Sequence, residues 1–169
     1  MSSNIHCADQ VWEFAEELAG EIIDHYPPTG LHGILHPLRL LGLAPGYCKS
    51  YSLPTTEFLL AAAFHDIGRV NDDEDEEHGT RSAELLEFMH PEASKLALDL
   101  VRNHCKVKPQ SDYPVELEYF KDLDAIDRQR YGERHIKVAR ITKDLEYWLK
   151  LNSSIMLCDS WDEICDKVE

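Results

Sequence analysis

An apolar run, Phe58-Leu-Leu-Ala-Ala-Ala-Phe64, leads straight into an imidazole beside a carboxylate, His65-Asp66, and then Ile67-Gly68-Arg69. Both polar side chains are costly to bury unless something pairs with them. A divalent cation does this well, because neutral imidazole and carboxylate oxygen are its usual protein ligands. His36 upstream and Asp124 downstream are candidate partners, so the chemistry to expect is hydrolysis or redox catalysis at a metal ion. The structural alternatives are a C-terminal cap for the doublet and an i,i+4 ion pair between Asp124 and Arg128. Each alternative is at least as good for its residue taken alone.

The elements that must position these groups are helical. Trp12, Ala15, Ala19, Ile22, Ile23 and Tyr26 recur at helical spacing until Pro27-Pro28 stops them. A second helix is expected from about Leu31 to Cys48, with a kink or break at Gly42, Pro45 and Gly46. In that helix His32, His36 and Arg39 share one face. The third begins after Pro54 with Thr55 as N-cap and ends near His65. Two more are expected over 80–89 and 91–104, the latter opened by Pro91. Residues 115–119 alternate like a strand, but Phe120, Leu123, Asp124, Asp127 and Tyr131 continue at helical spacing, so that segment reads as helix. A late helix carries Ile141, Leu145, Trp148, Leu149, Ile155 and Met156, and a short one closes the chain from Trp161 to Val168. The expectation is an all-α, single compact helical bundle.

His36, His65-Asp66 and Asp124, in that order on successive helices, resemble the HD superfamily of metal-dependent phosphohydrolases. The stretches that carry the resemblance are His32-Gly-Ile-Leu-His36-Pro-Leu-Arg39, Ala61-Ala-Ala-Phe-His65-Asp66-Ile-Gly-Arg69 and Lys121-Asp-Leu-Asp124-Ala-Ile-Asp127-Arg128. It covers about residues 31–132 of an expected single 1–169 domain. The resemblance implies that the four positions bind one divalent cation inside a helical bundle. Asp122, Asp124 and Asp127 compete for the last role; Asp124 best matches the family pattern and Asp122 is the fallback. It further implies a second ion bridged by Asp66 and held by His78 and His104. The plain alternatives there are a helix-start residue and a histidine facing a helix dipole.

An acidic run, Asp72-Asp73-Glu74-Asp75-Glu76-Glu77, follows the doublet. Such runs are usually solvated loops, but its proximity suggests that one member, with Asp73 preferred, orients a water or acts as general base. Substrate phosphate would fall to arginines, which suit bidentate contacts. Arg39, Arg69 and Arg128 are the choices, with His32 beside them and Arg81 a further candidate. The implied activity is hydrolysis of a small nucleotide or other phosphate ester through a metal-activated water. Mixed histidine and carboxylate ligation suits manganese, iron, cobalt, nickel or zinc better than magnesium, as one or two ions. Some superfamily members with this six-ligand arrangement hold paired iron and use dioxygen, which gives an oxygenase as the alternative. A non-catalytic helical interaction module is the other.

Composition narrows the partners. The 169 residues carry 17 basic and 32 acidic side chains, a formal charge of -15, which argues against docking polymeric nucleic acid or anionic lipid. Five cysteines without a C-x-x-C pair suggest neither a disulfide framework nor a zinc ribbon, and point to the reducing cytosol. The first residues lack the pattern of a secretory signal and no apolar run approaches membrane-spanning length, so a soluble cytoplasmic protein is expected. No Gly-rich phosphate loop, H-E-x-x-H or G-x-S-x-G occurs, which lowers the prior for P-loop, zincin and esterase chemistry.

Overall fold

The computed structural model describes residues 8–106, 112–129 and 136–168. Among them the fold is all-α, with eight helices: α1 (Ala8–Ile22), α2 (Leu35–Tyr51), α3 (Thr55–Phe64), α4 (His78–Met89), α5 (Lys95–Asn103), α6 (Val115–Arg128), α7 (Ala139–Ile155) and α8 (Trp161–Val168). The apolar run decides the arrangement. From Phe58 to Phe64 every residue of α3 is buried, and a helix apolar on all sides must lie inside the bundle. Helices α1, α2, α4 and α5 pack around it. Helices α6, α7 and α8 extend the bundle along α2, where Tyr47 and Trp148 meet edge to face with ring centroids 5.3 Å apart and the indole N–H donates to the Tyr51 hydroxyl at 2.7 Å.

Several helix limits differ from those expected, each for a local reason. Residues 31–34 form turns, entered through Gly30 at a φ of 111°, so α2 starts at Leu35 and His32 is not on it. The helix then runs through Gly42, Pro45 and Gly46 without a break to Tyr51 and is capped by Ser52, a left-handed residue with φ 57°. Gly42 answers a packing need: a Cβ there would lie 2.6 Å from Ile164 Cγ2, so its absence lets α8 settle onto α2. Thr55 is the first residue of α3 and makes no side-chain cap. Helix α4 begins two residues early, at His78. Pro91 lies in a turn, and α5 is opened instead by Ser94, whose hydroxyl accepts from the Ala97 N–H at 3.2 Å, a bond no proline can supply. Because α1 ends at Ile22, Ile23 turns outward and is 55% exposed. Tyr131 lies outside the described residues.

Candidate metal centre

The clustered side chains come almost entirely from helix ends. His36 sits in the first turn of α2, His65 and His104 follow the last residues of α3 and α5, His78 opens α4, Asp66 stands in the turn after His65, and Asp124 projects from α6. Helix α4 is clamped to the turn behind the doublet. Gly68 N–H donates to Ser82 Oγ and Arg81 Nε donates to the Gly68 carbonyl, each at 2.9 Å. A Cβ at Gly68 would meet the Ser82 backbone nitrogen at 2.6 Å, so only glycine allows that approach. This contact carries His78 to Asp66.

Asp66 stands between two groups of imidazoles. On one side His36 Nε2 and His65 Nε2 are 3.0 Å apart. Asp66 Oδ2 lies 3.3 Å from His65 Nε2, and Asp124 Oδ1 lies 3.1 Å from His36 Nε2 and 3.9 Å from His65 Nε2. On the other side His78 Nε2 and His104 Nε2 are 3.0 Å apart. Asp66 Oδ1 faces them at 3.1 and 3.4 Å.

Hydrogen bonding at the other ring nitrogens fixes the tautomers. Nδ1 of His65 contacts the Ala62 carbonyl at 3.1 Å, Nδ1 of His104 the Val101 carbonyl at 2.7 Å, and Nδ1 of His78 the Asp75 carbonyl. A carbonyl only accepts, so each Nδ1 carries a proton, and in the neutral form of the ring the lone pair of Nε2 points inward. His36 Nδ1 donates to Asp127 Oδ2 at 2.6 Å, which likewise turns Nε2 inward, ready to ligate a metal that displaces its proton. Lone pairs facing each other at such distances repel unless a proton or a metal ion lies between them. Asp66 Oδ2 and Asp124 Oδ1 are buried and make no hydrogen bond. Unpaired buried carboxylate oxygens beside inward imidazole nitrogens are the donor set of a cation site.

Electrostatics point the same way. Burial alone would raise the Asp66 carboxyl, but the imidazoles of His65, His104 and His78 outweigh it and hold the group well below its ordinary range. Asp124 is likewise held down against burial, by His36 and Arg128. Burial works against a charged His36, yet Asp124 and Asp127 push it up to about 9. Burial lowers His104, with Asp66 opposing. The carboxylates stay ionised and the centre attracts positive charge.

Among the competing aspartates, the other two are engaged elsewhere. Asp122 accepts from the backbone N–H groups of Lys137 and Val138 at 2.7 to 3.1 Å and so ties α6 to the start of α7. Asp127, fully buried, sits between His36 and Arg39, whose Nε and Nη2 reach it at 2.7 and 3.2 Å. The Arg39 guanidinium is turned to this buried carboxylate, and the residue also lines a small cavity beside His36.

His32 has left the helix but is still buried, and burial lowers it to about 4, so it is neutral. Its Nδ1 donates to Asp72 Oδ1 at 2.9 Å and its Nε2 accepts from Arg128 Nη2 at 2.5 Å. Asp72 is thus the member of the acidic run whose carboxylate bonds a histidine of the site, while Glu74, Asp75 and Glu76 border the cavity beside His78 and His104. Asp73 is exposed, and its contacts are through the backbone, to Asn71 and Arg69. Arg81 is occupied by Asp75 and the Gly68 carbonyl. Arg69 Nε contacts Asp66 Oδ1 at 3.0 Å, and Arg128 Nη1 contacts Asp124 Oδ2 at 3.4 Å.

Arg69 and Arg128 line a cavity of about 590 Å³ that also takes in His78, His104, Lys106 and Tyr113. A smaller one, about 160 Å³, opens at His32, Asp66, Arg69 and Asp72. Asp127, a rival for the last ligand role in the sequence, instead bonds His36 from behind. Cys105 is the site residue that sequence reasoning missed, and its signal is its place directly after His104: one ligand atom from each of His78, His104 and Cys105 lies within 4.8 Å of the others.

A family profile described as the HD domain matches residues 33–145, more than half of the chain. No curated protein and no solved structure matches it.

Proposed function

The chain belongs to the HD domain family, and from that premise we propose that it is a metal-dependent phosphohydrolase acting on a small nucleotide or another phosphate ester. The observation that carries the reading is the pair of unpaired buried carboxylate oxygens, on Asp66 and Asp124, beside imidazole nitrogens whose lone pairs converge. In this reading His36, His65, Asp66 and Asp124 hold one divalent ion, and His78 and His104 hold a second that shares Asp66. When bound, such ions supply Lewis acidity toward phosphoryl oxygens and lower the pKa of water at the site.

The remaining work belongs to the chain's own side chains. Arg69 and Arg128, on the wall of the larger cavity, supply fixed positive charge for a phosphate that a protein of net charge -15 would otherwise repel. Neutral His32, held by Asp72, accepts from Arg128 and aims its guanidinium. Buried Asp127 orients His36. A cavity of about 590 Å³ suits a small ester rather than a polymer.

The test is metal analysis of protein purified without chelator, followed by a panel of phosphate esters with each divalent ion. Phosphate release that needs a divalent ion and disappears in Asp66→Ala supports the proposal. The four imidazoles and two carboxylates also fit paired iron. Oxygen uptake on bound iron with no phosphate released from any ester would replace hydrolysis with oxygenation. Activity unchanged in Asp66→Ala would remove the catalytic reading altogether and leave an interaction module.

A further inference from the structure

Cys105 is the one cysteine among the described residues that reaches the histidine cluster. Cys48 and Cys158 are buried in the hydrophobic core. Helices α4 and α5 fix the Cys105 sulfur in place. A Cβ at Gly79 would lie 2.5 Å from the Arg102 carbonyl oxygen and 3.0 Å from Cys105 Sγ, so the first turn of α4 presses directly on the end of α5 with no side chain between them. Sγ is left beside His78 on the wall of the larger cavity. Its hydrogen bond is a long one, 4.0 Å to the Glu76 carbonyl, and leaves the sulfur lone pairs unengaged.

His78 and His104, only 2% and 8% exposed, direct Nε2 toward Asp66 Oδ1, and one ring nitrogen of each lies within 4.8 Å of Cys105 Sγ. Two nitrogens and one oxygen are already converged there without the sulfur. Resting on the metal-centre reading above, we infer that Cys105 is a further ligand on the His78–His104 side, making that half a thiolate site for zinc, cobalt(II) or iron(II). The thiol proton leaves to solvent as the sulfur–metal bond forms. The His36–His65–Asp124 half has only nitrogen and oxygen donors. The two halves therefore differ in softness, and thiolate selects against magnesium and manganese in one of them.

The experiment is a cobalt(II) titration of the chelator-treated full chain, followed by absorption spectroscopy and equilibrium dialysis. A thiolate-to-cobalt charge-transfer band in the near ultraviolet, absent in Cys105→Ser while the visible cobalt bands persist, is the expected result. Zinc at ten times its Kd should also slow iodoacetamide labelling of Cys105 by about tenfold, because only unbound thiolate reacts, read by peptide mass spectrometry with Cys165 as internal reference, and magnesium should not. This second measurement uses the unmodified protein and does not depend on how the variant folds. Cobalt binding with visible bands but no charge transfer, and labelling indifferent to zinc, would overturn the role of Cys105 and leave the metal centre standing. No cobalt bound at all would overturn both.

Discussion

His36 donates through Nδ1 to Asp127, and Arg39 holds Asp127 from its other side. The imidazole is thereby fixed in one tautomer and made more basic, which strengthens Nε2 as a ligand. Asp127→Asn should weaken divalent-ion affinity by about 10–100-fold in calorimetric titration, with much of the activity returning at saturating metal. The same pair sets a pH window in metal-free protein. Despite burial, His36 and Arg39 hold Asp127 below its ordinary value of 3.8, so its stabilisation is present above 3.8 and fades as pH falls below it. His36 is raised from 6.5 to about 9, so its contribution is complete below 6.5 and is lost as pH rises through 9. Thermal melts of the metal-free protein should peak between those limits, and Asp127→Asn should flatten both flanks. Asp122→Ala should behave differently, lowering stability by about 1–2 kcal/mol through the lost backbone contacts without changing ion stoichiometry. The three aspartates were visible in the sequence as rivals. Which would face the imidazoles depends on what each meets across the bundle, and Arg39 and the 137–138 backbone are remote in sequence.

Helix identity was more legible than helix ends. The apolar run forecast α3 and its burial because no other environment accepts a helix apolar on every side. The ends went astray where a tertiary contact outweighed a local signal: Gly42 reads as a breaker, yet the space it leaves is filled by Ile164, and Pro91 reads as a helix start, yet Ser94 makes the cap. The junction between the doublet and α4 is the element on which the second half of the centre depends. In Gly68→Ala the new methyl would meet the Ser82 backbone nitrogen at 2.6 Å, a contact that no rotamer change relieves. We expect a stability loss of about 1–3 kcal/mol. We also expect a split in metal binding, with the His78 and His104 side losing affinity more than the His36 and His65 side. Histidine ring resonances followed by NMR through a zinc titration would separate the two. Equal loss on both sides would mean that α4 does not carry its histidine independently.

Over the whole molecule, the clustered groups arise from α2, α4 and α6 and from the turns that end α3 and α5, so an ion bound there ties together segments remote in sequence. Ligand that binds only the folded state adds RT ln(1 + [L]/Kd), about 2.7 kcal/mol at a hundredfold excess over Kd. For a chain of this size that corresponds to a rise in Tm of about 5–10 °C. Removing metal with chelator should reverse the rise, and Asp66→Ala should abolish it, because Asp66 is the carboxylate common to both groups of imidazoles. The charge of -15 adds a signature of its own. It draws divalent cations toward the centre and repels phosphate, so the cation association rate should fall as monovalent salt rises. Binding of a phosphate ester must overcome the same field through Arg69 and Arg128, with any bound ion adding to their charge. Neutralising Arg128 should therefore raise KM for the ester while leaving the metal-linked Tm shift largely in place. Stopped-flow metal binding across a salt series, set beside melting curves and substrate kinetics of Arg128→Gln, would read both effects. A cation rate indifferent to salt would show that the centre is shielded from the field of the acidic surface.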